Sequence, residues 1–287
     1  CYVEENCSDP RIRILYNQEN LGVGGAVMKG YKAAIEDNVD IIVKIDSDWQ
    51  MNPKLIPRFI GPICQGLADY TKGNRFYDIE DTHQMPAVRF MGNSALAFMA
   101  KLSSGYWDIF DPTNGFTAIH CEVAKRLPLR KISRRWFFET DILFRLNLLR
   151  AVVVDIPMAS KYGDEKSNLV VRTIVFEFFV KHIRNTCKRI LYNYYLRDMS
   201  LASIELPSGM VMTVLGLSHG FFYWFQSLQS GVPTPAGTVM VSALPVILGF
   251  QFLLAFVGYD VATVPKRSIH TLLDKKEGCK LRDNWKR

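Results

Sequence analysis

Charged side chains are missing from one long stretch of this sequence. Residues 206–259 contain no Asp, Glu, Lys or Arg, and a charge-free stretch of this length is rare outside membranes. It holds two apolar spans, about 210–228 and about 239–258, separated by the Gly- and Pro-rich residues 231–237. The second is long enough to cross a hydrocarbon core of about 30 Å. We therefore predict a pair of transmembrane helices over 206–259; the alternative is a buried hairpin in a soluble protein.

Two further absences concern cysteine pairs and a leader segment. The six cysteines show no C-x-x-C spacing, which argues against a zinc site or a disulfide framework and favours free thiols in a reducing compartment. Residues 1–10 lack the basic and then apolar run of a signal peptide. Because the sequence begins with Cys1 and not with Met, we expect it to be a fragment or a processed product.

Basic side chains flank the uncharged stretch on both sides. They are Lys181, Arg184, Lys188, Arg189 and Arg197 before it, and Lys266, Arg267, Lys275, Lys276, Lys280 and Arg282 after it. By the positive-inside rule, both flanks and the domain upstream are predicted to be cytoplasmic.

Residues 172–205 mix these bases with aromatic residues and predict an amphipathic helix at the membrane surface; the alternative is an ordinary helix packed on the domain. Residues 260–287 are predicted to be a basic cytoplasmic tail. The net charge of +7 would largely serve an anionic lipid surface, so no nucleic-acid partner is needed to explain it.

The upstream region, residues 1–171, alternates short apolar runs with helical patterns. Strands are predicted at about 11–16, 41–45, 68–76 and 151–156, and helices at about 26–38, 54–65 and 91–101. Residues 111–119 are predicted to be a turn that enters a further strand. This alternation predicts an α/β domain with a mostly parallel sheet.

Two carboxylates follow the most apolar of these strands. Asp46 and Asp48 are one residue apart, and Gln50 continues the alternation, so the three side chains can face one ligand at the carboxyl end of the strand. Carboxylate and amide oxygens suit a hard divalent ion together with phosphate groups. The alternative is a solvated loop that caps the next helix.

Two other places carry weaker signals. Gly24 and Gly25 lie in a turn that opens a helix, where exposed amides could hold a phosphate or a ribose, although a tight strand-to-helix turn explains them equally well. Glu139 and Asp141 stand where an aromatic run becomes a helix. Acids in a first helical turn are favoured by the helix dipole, which is the structural alternative for both.

Several short motifs occur in a fixed order over about residues 11–169. They are Asn20-x-Gly22-x-Gly24-Gly25-Ala26, Asp46-Ser47-Asp48-x-Gln50-x-x-Pro53, Gly73-Asn74-Arg75, Asp111-x-x-Asn114-Gly115-Phe116, Phe138-Glu139-x-Asp141 and Gly163-Asp164-Glu165-Lys166-Ser167. With them the chain resembles the inverting family 2 glycosyltransferases of the GT-A fold. It looks most like the polyprenyl-phosphate hexosyltransferase branch, which includes dolichol-phosphate mannose synthase.

The resemblance implies a donor site built on the first acidic motif. Asp46, Asp48 and Gln50 match the residues that bind Mg²⁺ or Mn²⁺ and the nucleotide-diphospho-sugar, with Gly24 and Gly25 nearby. The metal would neutralise charge on the leaving diphosphate, which gives Asp48 a direct part in catalysis.

The resemblance also implies phosphate and acceptor groups. Arg75 and Arg89 match arginines that hold phosphate. Asp111 and the Asn114-Gly115-Phe116 turn match the acceptor-side sugar pocket, and Asn114 is also a candidate for contact with the donor sugar. Asp141 is the first choice for a general base and Glu139 the second. A lipid-phosphate acceptor is already an anion and would need no base.

The sequence departs from the family pattern in two ways. The first two strands of the fold, with the base-recognition half of the donor site, would have to precede Cys1. Tyr162 stands where an arginine is expected before Gly163, which leaves the identity of the acceptor open.

The prediction is a membrane-bound hexosyltransferase acting on a polyprenyl phosphate at the cytoplasmic face. The alternatives are a transferase that extends a glycan or glycolipid at a sugar hydroxyl, and a membrane scaffold with an inactive domain.

Overall fold

The computed structural model describes residues 9–47, 51–77, 87–158 and 171–273. The chain divides into two compact units. Unit 1 comprises Cys1–Gly92, Phe110–Leu169 and Arg267–Arg287, and unit 2 comprises Asn93–Ile109 and Val170–Lys266. Residues 93–109 thus group with the C-terminal helices, and the segment after residue 266 groups with the N-terminal domain. The sequence-based division into consecutive segments did not anticipate this exchange.

Four strands form the described sheet of unit 1. They are β1 (Ile41–Lys44), β2 (Tyr70–Asn74), β3 (Thr117–His120) and β4 (Val153–Pro157), in the order β1-β3-β2-β4. Strand β3 runs antiparallel to both β1 and β2, whereas β2 and β4 are parallel. The α/β class is therefore confirmed, but the described part of the sheet is mixed, because β3 enters between β1 and β2 in the opposite direction.

The predicted strand at 11–16 is absent from the described structure, where these residues form no ladder. Ile12, Leu15 and Tyr16 are all exposed. The alternation of charged and apolar residues indicated an extended segment, but a strand also needs a hydrogen-bonding neighbour, which the alternation does not specify.

Nine α-helices accompany the strands in the described ranges. They are α1 (Gly22–Glu36), α2 (Ile56–Cys64), α3 (Ala87–Ser104), α4 (Cys121–Ala124), α5 (Phe138–Leu149), α6 (Val171–Leu191), α7 (Leu201–Ser230), α8 (Ala236–Ala262) and α9 (His270–Leu273). Short 3₁₀ turns occur at Pro53–Leu55 and Leu129–Lys131, and a π-helical segment occurs at Tyr192–Arg197.

The core of unit 1 follows from the alternation of β3. Phe116 and Ala118 face α2, where the rings of Phe59 and Phe116 stack with centroids 3.9 Å apart. Thr117 faces the other way, and its side chain is hydrogen-bonded with Tyr31 of α1. Because successive side chains of a strand point to opposite faces, one short strand serves both layers.

A fully buried carboxylate anchors the segment after the uncharged stretch. Asp69 accepts hydrogen bonds from the backbone N–H groups of Val152, Ile269 and His270 at 2.7, 2.9 and 2.8 Å. The ring of His270 lies 2.7 Å from Asp69 through Nδ1 and stacks on His120 at 4.3 Å. The chain therefore returns to the sheet of unit 1 after the last long helix.

Helices α7 and α8 form an antiparallel hairpin in unit 2 and contain the two predicted apolar spans. They are 30 and 27 residues long, an 18-residue window in each has a mean hydropathy of 1.4 and 2.2, respectively, and both are long and apolar enough to cross a membrane. Glycines allow close contact between them: a Cβ on Gly209 would lie 2.9 Å from the carbonyl oxygen of Gly249. Most of their other apolar side chains are exposed in the structure.

A second buried carboxylate fixes the end of α8. Asp260 accepts two hydrogen bonds from Arg189, at 2.6 and 2.9 Å. Tyr194 and the indole N–H of Trp107 donate to the same carboxylate at 2.5 and 2.8 Å. Because breaking a buried ion pair leaves an uncompensated charge, this network holds α6, α8 and the segment after α3 in one arrangement.

We expect Asp69→Asn to lower the free energy of unfolding by about 3 kcal/mol at neutral pH, because it leaves a buried donor without its anionic acceptor. Burial raises the pKa of Asp69, but the hydrogen bonds from His270, Val152 and Ile269 outweigh burial and bring it below the ordinary value of 3.8. A depressed pKa gives stability that is present above the unfolded value and is lost as the pH falls through the folded pKa. The cost of the substitution should therefore shrink below pH 3.8.

Thermal unfolding of the detergent-solubilised protein between pH 7 and pH 3 would measure this. The control is Asp37→Asn, whose carboxylate forms an exposed ion pair with Arg13 and should contribute less than about 1 kcal/mol. An Asp69 effect no larger than that of Asp37, or one independent of pH, would contradict the assignment.

Candidate functional site

The acidic end of β1 is paired with a lysine from the same strand. Lys44 Nζ lies 2.9 Å from each carboxylate oxygen of Asp46. The two residues are two positions apart, so both side chains point to one face of the extended backbone. Only 10% of the Lys44 side chain is exposed, compared with 35% of Asp46. Asp46 thus faces solvent with a cation behind it.

The Asn114-Gly115 turn lies directly against this pair. The antiparallel register sets Lys44 opposite Thr117, so the turn before β3 meets the residues after β1. A Cβ on Gly115 would overlap Asp46 Oδ2 and lie 2.5 Å from Lys44 Nζ. Any side chain at this position would therefore require the ion pair or the turn to shift.

Asn114 supports the turn with both ends of its amide. Its oxygen accepts from the backbone N–H of Phe116 at 2.9 Å, and its nitrogen donates to Asp111 at 3.3 Å. Asn114 was predicted to contact the donor sugar. In the structure it is buried and shapes the turn that touches Asp46.

Arg75 and Asp111, predicted separately for phosphate and for the acceptor pocket, lie together. The guanidinium donates to Asp111 through Nε at 2.7 Å and Nη2 at 3.1 Å. Asp111 is buried, while 30% of the Arg75 side chain remains exposed. Asp111 therefore orients the arginine and leaves part of it open to solvent. Phosphate binding by Arg75 stays a prediction.

Two lysines beneath the site were missed in the sequence. Lys44 follows the apolar residues 41–43 of β1, and a lysine in an apolar run was the available signal, because a buried lysine needs a partner. Lys72 lies between Thr71 and Gly73 in a strand that is not apolar, and it gave no such signal. Lys72 is fully buried and donates to the carbonyl oxygen of Asn114. Burial lowers the pKa of Lys72, while the nearby carboxylates of Glu139 and Asp111 act in the opposite direction.

Glu139 is the acid that meets these lysines. Its Oε1 lies 3.6 Å from Lys44 Nζ, and 14% of its side chain is exposed. Burial raises the pKa of Glu139 above its usual range, although Lys72 and Lys44 act to lower it. Through Lys44, Glu139 is linked to Asp46.

Asp141, the first choice for a general base, is engaged elsewhere. Its Oδ2 accepts from the backbone N–H of Ser133 at 2.9 Å and from Arg145 at 3.3 Å. Only 8% of its side chain is exposed. Asp141 thus ties down the loop before α5, while Glu139 contacts Lys44 of the Lys44–Asp46 pair. A role of either acid as general base stays a prediction.

The glycine-rich turn packs against the same loop. The Gly25 N–H donates to the carbonyl oxygen of Arg134 at 3.1 Å. A Cβ on Gly24 would overlap the carbonyl oxygen of Ser133 and lie 2.6 Å from Phe138 Cβ. These contacts favour the tight-turn explanation, since the Gly25 amide already has an acceptor. A cavity of about 620 Å³ adjoins the turn; it is lined by residues 20–23 and 134–136.

Several predicted site residues fall outside what the structure describes. Asp48 and Gln50 lie in the gap at 48–50, and residues 162–167 in the gap at 159–170. Arg89 belongs to α3, but its side chain is outside the described atoms.

Of the three predicted metal ligands, only Asp46 lies within the described residues. Within the described ranges, no three His, Cys, Asp or Glu residues are grouped closely enough to hold a metal ion. Asp46 offers a partly exposed carboxylate, the kind of hard oxygen that Mg²⁺ and Mn²⁺ prefer. It fits as one ligand of such an ion.

Comparison with known proteins supports the resemblance found in the sequence. Residues 2–127 match the family model of glycosyl transferase family 2. This match confirms the recognised family for that part of the chain.

Relatives named as lipid-phosphate sugar transferases share part of this sequence. A UDP-N-acetylglucosamine–dolichyl-phosphate N-acetylglucosaminyltransferase of Methanococcus voltae is 27% identical over 54% of this chain and 61% of its own length. An undecaprenyl-phosphate mannosyltransferase of Micrococcus luteus is 26% identical over 52% and 61%. A dolichol-phosphate mannosyltransferase of Pyrococcus furiosus is 25% identical over 86% and 65%. The chain spans about three fifths of the length of these relatives.

One solved structure is similar at low identity. Glucosyl-3-phosphoglycerate synthase from Mycobacterium tuberculosis, crystallised with Mn²⁺, UDP-glucose and phosphoglyceric acid, is 18% identical over 63% of this chain and 57% of its own, with a TM-score of 0.43.

We expect Gly115→Ala to destabilise unit 1 by about 1–3 kcal/mol, because the added methyl group must displace the Lys44–Asp46 pair or the turn. The matched control is Gly30→Ala in α1, where a Cβ would meet nothing within 4 Å. That change should stabilise the helix by about 0.4–1 kcal/mol. Thermal unfolding of both variants measures the difference, and a Gly115 variant as stable as the Gly30 variant would show that the close approach is not real.

Proposed function

We propose that this chain is an inverting hexosyltransferase that moves a sugar from a nucleotide-diphospho-sugar to a polyprenyl phosphate, and the match of residues 2–127 to glycosyl transferase family 2 supports this. The observation that carries the proposal is the acidic end of β1 held against the Asn114-Gly115 turn. An acid at a strand end faces the place where α/β sheets bind ligands. The same chain continues into an apolar helical hairpin.

The lipid acceptor is supported by the relatives and by the C-terminal helices. The names of three relatives contain dolichyl phosphate, undecaprenyl phosphate or dolichol phosphate. In unit 2, helix α6 exposes apolar side chains including Phe176, Phe179 and Ile183, next to basic residues such as Lys181 and Arg184. A helix of this composition suits the boundary between lipid head groups and acyl chains.

In the proposed donor site, Asp46 would hold Mg²⁺ or Mn²⁺ together with Asp48 and Gln50. The ion, when bound, would neutralise charge that develops on the leaving diphosphate. Arg75, oriented by Asp111, would bind phosphate through its exposed part, and Arg89 would assist it.

The need for a base depends on the acceptor. A lipid phosphate attacks as an anion and releases no proton. A sugar hydroxyl would require a proton acceptor, and Glu139 is better placed than Asp141, since it faces Lys44 and its pKa is raised by burial. Inversion follows from a single displacement in which the acceptor attacks the face opposite the diphosphate.

The membrane orientation is part of the proposal. Two spans return the chain to the side from which it left, and Ile269 and His270 after the second span are hydrogen-bonded to Asp69 of unit 1. The basic flanks favour the cytoplasm for that side, so the transfer domain would be cytoplasmic and residues 231–235 external.

Transfer activity is testable with the full-length protein in membranes. We expect radiolabelled UDP- or GDP-sugar to label added undecaprenyl or dolichyl phosphate. Asp48→Asn should reduce this labelling at least about a hundredfold, because the leaving diphosphate loses its metal, while Asp37→Asn should leave it unchanged. If only a glycan is labelled, the acceptor is a sugar hydroxyl and not a lipid phosphate. If no acceptor is labelled, the result favours a membrane scaffold with an inactive domain.

The orientation makes a separate prediction. Val232→Cys places a thiol in the exposed turn between α7 and α8, and a membrane-impermeant maleimide should label it in intact cells. The native exposed Cys187 is the internal control, because it should react only after permeabilisation. The opposite pattern would place the transfer domain outside the cell.

A further inference from the structure

We propose that Lys44 is a positioning residue that serves as the resident counter-ion of Asp46. It holds the carboxylate in place, competes with a divalent cation for it, and joins it to Glu139. The inference rests on the proposed function, since it takes Asp46 as a metal ligand. It assigns a role to a residue that no motif of the resemblance includes.

Lys44 and Asp46 form a close ion pair in which the lysine is largely buried. Nζ is 2.9 Å from both oxygens of the carboxylate. An ammonium with 10% of its side chain exposed has lost most of its hydration, so it depends on its anionic partners. When no other cation is bound, Lys44 is therefore the cation that pairs with the Asp46 carboxylate.

A second anion keeps Lys44 in place. Glu139 Oε1 is 3.6 Å from Nζ, and the ring of Phe138 lies 5.3 Å away. These residues belong to α5, far in sequence from β1. One ammonium thus sets the separation of two acids that come from different elements, and it keeps a partner when a metal takes Asp46.

The neighbouring cations are engaged with other groups. Lys72 donates to the carbonyl oxygen of Asn114, and Arg75 donates to Asp111. Gly115 closes the remaining side of the pair, where a Cβ would lie 2.5 Å from Nζ. Residues of β1, α5 and the turn before β3 therefore fix the position of the Lys44 side chain.

The charge of Lys44 should weaken cation binding at Asp46. A positive charge about 3 Å from a ligand oxygen opposes the binding of a second cation, and at the effective dielectric of a protein surface this corresponds to a factor of ten or more. The same contact orients the carboxylate for the reaction. Removal of the charge should tighten metal binding and slow transfer, whereas a merely structural role would lower stability without tightening binding.

The test uses Lys44→Met and Lys44→Arg in the full-length protein. Mn²⁺ binding is measured by electron paramagnetic resonance without donor or acceptor. We expect the Met variant to bind Mn²⁺ about tenfold more tightly and its kcat to fall at least tenfold, with KM for the lipid phosphate unchanged. The Arg variant retains the charge and should bind Mn²⁺ as the wild type does. Lys32→Met, an exposed position on α1, is the matched control.

The possible failures are distinguishable. If Asp46→Asn leaves Mn²⁺ binding intact, the metal assignment of the proposed function is wrong. If Asp46→Asn abolishes binding while Lys44→Met leaves the affinity unchanged or weakens it, the counter-ion role is overturned and the proposed function stands. Lys44→Gln, neutral but still a hydrogen-bond donor, repeats the measurement if the Met variant does not fold, and the same tightening is expected.

Discussion

The antiparallel register of β3 against β1 is the constraint on which the site depends. It sets Lys44 opposite Thr117, and because of this pairing the Asn114-Gly115 turn lies against Asp46. Strand β2 lies on the other side of β3 and brings Lys72 under the same turn. A register shift of one residue would turn every side chain of β3 to the opposite face. The core and the site are therefore specified together, through Phe116 on one face and Thr117 on the other.

Charge compensation is the second organising feature. Asp46 and Glu139 share Lys44, and Asp111 is held by Arg75. Lys72 is fully buried beneath them. Buried charges are tolerated when each finds a partner of opposite sign, and this balance allows several carboxylates to gather where a diphosphate is proposed to bind. Outside the candidate site, Asp69 in unit 1 and Asp260 in unit 2 show the same principle, since each carboxylate accepts hydrogen bonds from several donors.

Much of the fold was predictable because its signals are local. The strands β1, β2 and β4 and the apolar helices α7 and α8 are found where the sequence patterns indicated. The predicted strand at 11–16 was wrong, and the antiparallel insertion of β3 was missed. Strand pairing is a relation between distant segments, and alternation within one segment carries no information about its neighbour.

The sequence by itself determined the α/β class, the resemblance to family 2 glycosyltransferases, the apolar hairpin and the identity of the acids that gather near Asp46. Only the tertiary structure decided what each acid contacts. It linked Glu139 to Asp46 through Lys44, turned Asp141 toward Ser133 and Arg145, and explained Gly24 and Gly25 by close packing. The physical reason is that residue type and spacing define which groups are available, whereas the partner of a buried charge depends on a distance between elements that are far apart in the chain.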